Sequence, residues 1–461
     1  QFKKWKTGGI TMQEIVTKVN EFLWGNFLII LLMGTGVYFT LKLNFIQIRK
    51  FGEGLKQVTG SVNLNGKKAD KNGMSSFQAL ATAVAAQVGT GNLAGAATAI
   101  ASGGPGAIFW MWISAFFGMA TVYVEAILGQ VFKRRVDGHI TGGPAYYIEN
   151  SLKNRWLSKG LAIFFSVACI LALGLMGNAV QANSISVAFN NAFGVSPLFV
   201  GVIISILAGF VFFGGIKRIA SVTEKIVPIM AGLYILACII IIFLNYKEII
   251  PAITSIFYSA FNPEAALGGA MGISVKKAIR YGVARGLFSN EAGMGSTPHA
   301  HAIAKVEHCG EQGIVAMITV FIDTFVVLTG TALVILTSGV KEGEGIILTQ
   351  NAFINTLGSF GDSFIAICLF FFAFSTIVGW YFFGEANIRY LFKNNISINI
   401  YRVVVMLMII VGSTLKVSLV WEMADMFNGM MVLPNLIALL ALGKYARTSM
   451  KEYENLAPQL I

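Results

Sequence analysis

Charged residues are scarce in this sequence. Asp, Glu, Lys and Arg together make up 12% of its 461 residues, whereas a soluble domain carries about 25%. So little charge cannot cover a water-exposed surface, which excludes an ordinary soluble protein. The hydrophobic share of 56% and the mean hydropathy of +0.71 instead predict an integral membrane protein with several spanning helices.

Cysteine is also rare, with four residues in the chain. Cys169, Cys238 and Cys368 lie in apolar runs, where cysteine behaves as a small hydrophobic residue. Together with Cys309 they suggest neither a disulfide framework nor a metal site. The sequence also lacks a nucleotide-binding loop, a catalytic triad and the paired carboxylates of a hydrolase, so an integral membrane enzyme is the least favoured class.

The charge that is present is mainly basic, with a formal net charge of +12. In a soluble protein this excess would suggest nucleic acid, but the cytoplasmic loops of membrane proteins collect Lys and Arg. We therefore expect membrane lipid and no nucleic acid as a partner. Most basic residues lie inside if the N-terminus is outside the cell membrane and the C-terminus is cytoplasmic. One cluster of basic residues that falls on the outer side disagrees with this topology, and it consists of Lys276, Lys277, Arg280 and Arg285.

Eleven apolar runs are long enough to cross a membrane. They are residues 22–41, 77–102, 107–132, 160–193, 198–213, 219–244, 278–304, 314–338, 363–388, 398–415 and 423–442. Two of these runs are interrupted by residues that disfavour a helix. Residues 88–92 read VGTGN, and each glycine costs about 1 kcal/mol relative to alanine in a helix. Residues 288–298 contain two glycines, a proline and an acidic residue.

The two interruptions divide the chain into halves. When the first run is set aside, the interrupted runs are the first and the sixth of ten, so each opens a set of five in opposite orientation. Paired interruptions in inverted halves point to a transporter site near the bilayer midplane. We predict an all-α membrane protein of about 11 helices. Its segments are residues 1–74 with an extra N-terminal helix and a basic cytoplasmic loop, repeats 75–245 and 276–447, an outer connection 246–275 and a cytoplasmic tail 448–461.

The interruptions also supply binding groups. An unwound backbone at membrane depth is tolerated only where it is buried in protein or lines a wet cavity. The half-helix after the first interruption directs its N–H groups at residues 90–92, which suits a carboxylate. The half-helix that ends near Val88 presents free carbonyls, which suit Na⁺ or an ammonium group. The alternative is that the glycines only permit close helix crossing.

Hydroxyl and amide groups within apolar runs are further candidates. Ser375 and Thr376 would complete a sodium site with backbone carbonyls, or bond back to the preceding turn. Gln87 and Asn290 place amides beside the interruptions, and we count them with the substrate-binding candidates. A third set of side chains would either line a small pocket or join helices by hydrogen bonds. These are Asn178, Gln181 and Asn183, with Met176 and Trp380.

Carboxyl groups at membrane depth are costly to bury and are functional candidates by default. Glu291 has the strongest case because it lies inside the second interruption. Glu125 would either hold two helices together or relay protons, and Asp323 would be structural. His299 and His301 follow the second interruption, but a metal site needs more ligands nearby, so we predict structural roles for both.

Three motifs resemble signatures of the alanine or glycine:cation symporter family. They are GGPGAIFWMWISAFFG at residues 103–118, TGGPAYYI at 141–148 and GLFSNEAGMGSTP at 286–298. The likeness runs from about Asn20 to Lys444. It implies a sodium-coupled importer of alanine or glycine, with Na⁺ as the co-transported ion and no organic cofactor, and some members of the family using protons.

That family is similar in turn to the LeuT-type transporters, which have five-plus-five inverted repeats. Residues 88–92 resemble the VGxGN of the first broken helix of that type. The likeness implies that the substrate carboxylate binds the N–H groups of Thr90 and Gly91. It also implies that Phe288 and Ser289 lend carbonyls to the amine. The extra leading helix is absent from the basic LeuT-type plan.

The same likeness implies ligands for sodium. One ion would bind the carbonyls of Ala85 and Val88 together with Ser375 and Thr376. Asn92 matches a ligand of a second ion. At that second site, Glu291 stands where the LeuT type commonly has a small polar residue.

We therefore expect a secondary active transporter that works by alternating access. One rival is a proton-coupled carrier of the same fold, with Glu125 or Glu291 as the relay. Uptake that persists without sodium but collapses with the pH gradient would favour it. A second rival is a channel, which saturable counterflow of labelled alanine would exclude.

Overall fold

The structure is a computed structural model that describes residues 12–61, 73–136, 139–262, 275–415 and 417–460. Within these ranges the chain is almost entirely helical, and the one sheet is the antiparallel pair β1 (Arg134–Val136) and β2 (His139–Thr141). Residues 62–72 and 263–274 lie outside the described residues. They hold much of the basic loop and of the outer connection expected from the sequence.

A long leading helix opens the described chain. It consists of α1 (Met12–Phe22), a π-helical turn (Leu23–Phe27) and α2 (Leu28–Lys42). The short helices α3 (Ile46–Arg49) and α4 (Phe51–Ser61) follow it.

The first repeat contains an interrupted helix and four further spans. Its helices are α5 (Ser76–Gln87), a π-helical turn (Gly91–Gly95), α6 (Ala96–Gly103), α7 (Gly106–Val131), α8 (Pro144–Ile148), α9 (Arg155–Cys169), a π-helical segment (Ile170–Gly177), α10 (Asn178–Phe193), α11 (Pro197–Phe212) and α12 (Gly215–Leu244). Local signals set several of the ends. Ser75 and Gln78 form a capping box before α5, and Ser196 caps α11, which has a proline at its first position.

A short 3₁₀-helix (Tyr246–Glu248) and α13 (Ile249–Phe261) precede the second repeat. That repeat contains α14 (Val275–Asn290), α15 (Pro298–Ala302), α16 (Cys309–Phe321), a π-helical segment (Ile322–Leu328), α17 (Thr329–Ser338), α18 (Ile346–Leu357), α19 (Ser359–Phe392), α20 (Asn395–Thr414) and α21 (Val417–Leu460). The sequence did not predict α13 and α18, which lie in segments expected to be connections.

Eight helices in the described ranges are long and apolar enough to cross a membrane. They coincide with eight of the eleven predicted runs. The other three runs are α11, which is shorter, and the two interrupted helices, whose separate pieces are short. A multi-pass helical membrane protein is therefore confirmed, whereas the number eleven remains a prediction.

The two interrupted helices occupy the centre of the bundle. All residues in 79–97 and in 286–304 are buried, so neither stretch offers a face to lipid. Outer helices such as α12 behave differently and expose large apolar side chains, among them Phe243 and Ile229. Away from the interruptions, the Met74 N–H donates to the Ile303 carbonyl at 3.2 Å and the Lys305 N–H donates to the Met74 carbonyl at 3.0 Å. This parallel bridge joins the start of α5 to the chain just after α15.

Candidate substrate and cation site

The first interruption lies where α5 ends. Val88 leaves the helix with φ −81° and ψ 93°. The Gly89 N–H donates to Asn92 Oδ1 at 2.9 Å, and the helix resumes with the π-helical turn that starts at Gly91. The Asn92 side chain thus replaces a backbone acceptor that the break removes. The predicted break at residues 88–92 is confirmed.

Two hydroxyls of α19 face the carbonyls at the end of α5. Thr376 Oγ1 lies 2.9 Å from the Ala85 carbonyl and 3.4 Å from the Val88 carbonyl. Ser375 Oγ lies 3.5 Å from the Ala85 carbonyl. Both hydroxyls also lie within hydrogen-bond distance of the Phe372 carbonyl in the preceding turn. The two alternatives weighed from the sequence, an inter-helix contact and a bond to the preceding turn, are therefore both present.

Glycine makes this approach of α19 possible. A Cβ on Gly89 would lie 2.4 Å from Thr376 Oγ1. One turn along α19, a Cβ on Gly379 would lie 3.0 Å from the Cβ of Ala86. The glycine of the break therefore serves close packing as well as unwinding.

The second interruption begins later than predicted. α14 continues through Asn290, and the Glu291 N–H still donates to the Leu287 carbonyl at 2.8 Å. Glu291, Gly293 and Gly295 then take positive φ angles of 58°, 81° and 79°. The prediction that the break starts at Phe288 is wrong, because helical hydrogen bonding continues to Glu291 and the left-handed backbone that ends the helix begins at that residue. Phe288 and Ser289 lie in the last turn, where carbonyls lose their intrahelical partners.

The two interruptions meet in the core. Gln87 Nε2 donates to the Asn290 carbonyl at 2.8 Å. A Cβ on Gly91 would lie 2.8 Å from the Ser289 Cα, so the two backbones are in direct contact. The structure therefore brings four of the predicted site residues together across the two halves of the chain.

A second polar cluster surrounds Asp323. Asn92 Nδ2 donates to Asp323 Oδ1 at 2.7 Å, and Ser289 Oγ donates to the same oxygen at 2.9 Å. Thr324 Oγ1 donates to Asp323 Oδ2 at 2.8 Å and accepts a bond from Asn290 Nδ2 at 3.1 Å. Asp323 was expected to be structural, but it lies between the two breaks and contacts both. The acidic residue at membrane depth was the signal for it in the sequence.

Glu291 and Trp380 form the other side of the site. The indole N–H of Trp380 donates to Glu291 Oε1, and Ser296 Oγ donates to Glu291 Oε2 at 2.5 Å. The Trp380 ring meets the Phe288 ring edge-to-face, with centroids 5.8 Å apart. A Cβ on Gly177 would lie 2.5 Å from the indole, so the ring packs between the π-helical segment that ends at Gly177 and Phe288 in the last turn of α14.

The amides of the run 160–193 separate into different roles. Gln181 Oε1 accepts the Thr90 N–H at 3.2 Å and so reaches the first break. Asn178 Nδ2 donates to the Gly174 carbonyl in its own helix at 3.0 Å. Asn183 Nδ2 donates to the Gly412 carbonyl and ties α10 to α20. Of the three, Gln181 is the one that hydrogen-bonds an interruption.

Glu125 supports the second break from α7. Its carboxylate accepts the Gly293 N–H at 3.3 Å and the Gly295 N–H at 2.9 Å. Asn435 Nδ2 donates to the same carboxylate at 2.6 Å, and Tyr147 OH donates to Asn435 Oδ1 at 2.5 Å. Nothing in the sequence near Glu125 indicated Asn435 and Tyr147, because they lie on α21 and α8.

Neutral groups surround the buried carboxyl groups of the site. Among the described residues, no Lys, Arg or His forms an ion pair with Glu125, Glu291 or Asp323, and all their polar partners given above are neutral donors.

His299 bonds the Ser296 carbonyl and Asn387, and His301 bonds Gln312, which fits structural roles. In the described part of the chain, no cluster of three His, Cys, Asp or Glu side chains could hold a metal ion.

Two interrupted helices that meet at a buried polar centre, inside a bundle of long apolar helices, define a multi-pass membrane transporter rather than an enzyme. Comparison with known proteins identifies the family. The sequence pattern of the sodium:alanine symporter family matches residues 10–459. The chain belongs to that family.

Named relatives are similar along nearly the whole chain. The sodium/alanine symporter AgcS of Methanococcus maripaludis is 43% identical, over 96% of this chain and 97% of that protein. The probable sodium/glutamine symporter GlnT of Bacillus subtilis is 42% identical, over 96% of this chain and 91% of that protein. The crystal structure of MhsT in complex with L-phenylalanine matches 83% of this chain and 97% of its own with a TM-score of 0.59 and 15% identity. The predicted LeuT-type fold is confirmed.

Proposed function

We propose that this protein is a sodium-coupled symporter of small neutral amino acids, alanine and glycine, and that it works by alternating access. The observation that carries the proposal is the contact between the two interruptions, through Gln87 with Asn290 and through Gly91 with Ser289. The N–H groups of the first break and the carbonyls in the last turn of α14 come from opposite halves of the chain and lie on either side of that contact, as a zwitterion requires. The names of the relatives AgcS and GlnT support sodium coupling.

The substrate carboxylate binds the N–H groups of Thr90 and Gly91, where the helix resumes. Gln181 Oε1 accepts the Thr90 N–H in the present structure, so the incoming carboxylate takes the place of a neutral amide oxygen. The amine binds the carbonyls of Phe288 and Ser289 in the last turn of α14. Both charges of the amino acid are then met by backbone.

Sodium binds between α5 and α19. Its ligands are the carbonyls of Ala85 and Val88 and the hydroxyls of Ser375 and Thr376, which already lie within 3.5 Å of the Ala85 carbonyl. A hydroxyl that donates to a carbonyl can rotate and offer a lone pair to an ion instead. These oxygens belong to both the first break and α19, so the ion holds the two elements together.

A second cation binds at Asp323. Its carboxylate accepts bonds from the Ser289 hydroxyl and from Asn92 Nδ2, and it supplies a negative charge. Asn92 becomes a ligand when its amide turns, so that Oδ1, which now accepts the Gly89 N–H, faces the ion. Glu291 does not take part, because its two oxygens accept bonds from Trp380 and Ser296. Glu291, the acidic residue in the second break, therefore does not prevent this cation from binding.

Trp380 limits the size of the substrate side chain. Its indole is fixed by Glu291 on one side and by close contact with Gly177 on the other. Met176 lies beside Gly177 and adds a further bulky side chain. Alanine and glycine fit such a pocket, whereas a branched side chain does not.

Purified protein in proteoliposomes tests the proposal. We expect an inward sodium gradient to drive uptake of labelled alanine, and unlabelled internal alanine to accelerate uptake as counterflow. Uptake without sodium that collapses with the pH gradient would replace sodium by protons as the coupling ion. A flux that neither saturates nor shows counterflow would overturn the carrier mechanism in favour of a channel.

A further inference from the structure

The leading helix forms hydrogen bonds with one turn of α21. Thr17 Oγ1 donates to Glu422 Oε2 at 3.0 Å, and Asn20 Nδ2 donates to the Glu422 carbonyl at 2.8 Å. Trp24 Nε1 donates to the Asp425 carbonyl at 3.0 Å. The three donors are spaced by three and four residues, which places them on one face of the leading helix. A leading helix that only faced lipid would not need three hydrogen bonds to two residues of α21.

The same turn of α21 carries a carboxylate that pairs with α14. Asp425 accepts two bonds from Arg285, at 3.1 and 2.7 Å, in a bidentate arrangement. Both side chains are largely shielded, with exposed fractions of 13% for Arg285 and 19% for Asp425. Arg285 is one of the basic residues that disagreed with the expected topology, and its ion pair with Asp425 explains its position.

Aromatic rings connect this ion pair to the substrate site. The Arg285 guanidinium lies over the Trp421 ring, 5.0 Å from its centroid. Trp421 packs against Phe288 with centroids 4.8 Å apart, and Phe288 packs against Trp380. The ion pair therefore lies on α14 between the start of that helix and the second interruption, and aromatic rings connect it to Trp380.

The leading helix also contacts the bundle deeper down. A Cβ on Gly293, in the second break, would lie 2.7 Å from Leu32 Cδ2. A Cβ on Gly429, in α21, would lie 3.0 Å from Cδ1 atoms of Leu23 and Leu28. The leading helix thus touches α21 and the second break, which follows α14.

We propose that Thr17, Asn20 and Trp24 are positioning residues for the outer closure of the carrier. They hold one turn of α21 at the distance from α14 at which Asp425 meets Arg285, and so favour the outward-closed state. The proposal rests on the alternating-access function proposed above, because α14 and α21 must separate there for an amino acid to pass. The extra helix is then part of the transport cycle and not only a membrane anchor.

Replacing Trp24 by Phe tests the proposal, because the change keeps an aromatic ring and removes the N–H donor. A weaker closure raises the outward-open fraction, and the apparent affinity of a carrier scales with its binding-competent fraction. We expect Trp24→Phe to lower the external half-saturating alanine concentration at saturating sodium about three-fold. In an Asp425→Asn background the same change is expected to have less than a 1.5-fold effect, because the pair is already weakened.

Phe22→Leu is the matched control, since Phe22 lies on the same helix with 70% of its surface exposed and takes no part in these contacts. It is expected to leave the half-saturating concentration unchanged. Equal effects of Trp24→Phe in the wild-type and Asp425→Asn backgrounds would overturn the positioning role. No effect of Trp24→Phe in a variant that still transports alanine would overturn it as well.

A second readout separates this proposal from the symport function. Spin labels at Lys276 on α14 and Met423 on α21 report the distance between the two outer ends whatever the protein transports. Trp24→Phe is expected to add a longer-distance population that Phe22→Leu does not add. If alanine uptake is absent but this population appears, the symport proposal fails and the positioning role stands. If uptake is intact and the distances do not change, the positioning role fails.

Discussion

Thr376 connects the break in α5 to α19 through a single hydroxyl. Its Oγ1 approaches two carbonyls, those of Ala85 and Val88. Such carbonyls have no helical partner to share them with, because the helix ends there. The proposed sodium site therefore depends on a few carbonyl and hydroxyl oxygens, and substitution of single residues tests it directly.

Replacing Ser375 and Thr376 together by Ala is expected to raise the sodium concentration for half-maximal uptake about ten-fold or more. Each lost ligand is worth about 1 to 3 kcal/mol, and 1.4 kcal/mol corresponds to a factor of ten. The measurement is alanine uptake as a function of sodium concentration. Thr376→Ser, which keeps the hydroxyl, is the control and is expected to stay within about two-fold of wild type. An unchanged sodium dependence in the double variant would place the ion elsewhere.

Thr90→Leu is expected to abolish alanine binding. Thr90 is fully buried, its hydroxyl has no hydrogen-bond partner in the described part of the chain, and its N–H is one of the two groups proposed to bind the substrate carboxylate. A leucine side chain fills that space and brings no polar group. Sodium-dependent binding to purified protein measures the effect, with Thr90→Ser as the size-reducing control. Near-normal affinity in the leucine variant would refute this position for the carboxylate.

Trp380→Leu is expected to reduce the preference for alanine over leucine by about ten-fold or more, since a hydrophobic pocket discriminates a few methylenes by about 1 to 3 kcal/mol. Wild-type protein should bind leucine poorly. Glu291→Gln keeps an oxygen that can accept the indole N–H, and we expect it to retain most of the discrimination. The ratio of the inhibition constants for leucine and alanine is the measurement. Strong leucine transport by the wild type would show that the pocket is larger than proposed.

At the level of elements, the two interruptions depend on glycine for close approach as much as for unwinding. Gly91 and Gly95 bound the same π-helical turn, yet their surroundings differ. A Cβ on Gly91 would lie 2.8 Å from the Ser289 Cα, whereas a Cβ on Gly95 would meet nothing nearer than the Thr90 carbonyl at 3.9 Å. This pair of glycines separates the effect of crowding from the effect of helix propensity.

Gly91→Ala is expected to force the two breaks apart and to weaken alanine binding at least ten-fold. Gly95→Ala is the matched control, and it is expected to bind alanine as the wild type does or to be slightly more stable, because alanine favours the helix by about 1 kcal/mol. Binding affinity and thermal stability are measured for both. Equal loss of binding in the two variants would mean that the contact with Ser289 is not what matters.

Local signals explain which elements were predictable from the sequence. Two glycines within three residues, with Thr90 and Asn92 between and after them, act on their own backbone, so the first break was placed correctly. The second break was placed three residues early, because Ser289 and Asn290 are weak helix formers that α14 nevertheless accommodates. The π-helical turns have no comparable sequence signal, although one of them carries Asp323.

Partners that lie far apart in the chain were not predictable. Gln87 and Asn290 were both candidates for the site, but only the fold shows that one donates to the other's carbonyl. The support of Glu125 by Asn435 joins residues on α7 and α21. Trp380 was expected to bound the pocket, whereas its bond to Glu291 was not expected. Such pairings depend on how the helices pack, which one sequence by itself does not specify.

At the level of the whole molecule, coupled transport requires that the two ligands stabilise each other. Sodium and alanine are proposed to bind the same break, on its carbonyl side and its N–H side. By linkage, the factor by which sodium tightens alanine binding must equal the factor by which alanine tightens sodium binding. We expect that factor to lie between about 5 and 150, as is usual for coupled sites.

Isothermal titration of each ligand, with and without a saturating concentration of the other, measures both factors on one preparation. Equal alanine affinity with and without sodium would leave the protein as an amino acid binder without sodium coupling.

The proposed orientation, with the N-terminus outside, is a separate prediction. Cysteine labelling of each terminus from either side of the membrane checks it.

The bridge between Met74 and the chain after α15 has a consequence for sequence drift. It consists of two main-chain hydrogen bonds, from the N–H groups of Met74 and Lys305. Side-chain replacement does not remove such bonds, so this connection between the start of one interrupted helix and the end of the other survives nearly every mutation at positions 74, 303, 304 and 305. Proline at 74 or 305 is the exception, since it has no N–H to donate. The two interrupted helices are therefore joined here in a way that a random point mutation rarely disturbs.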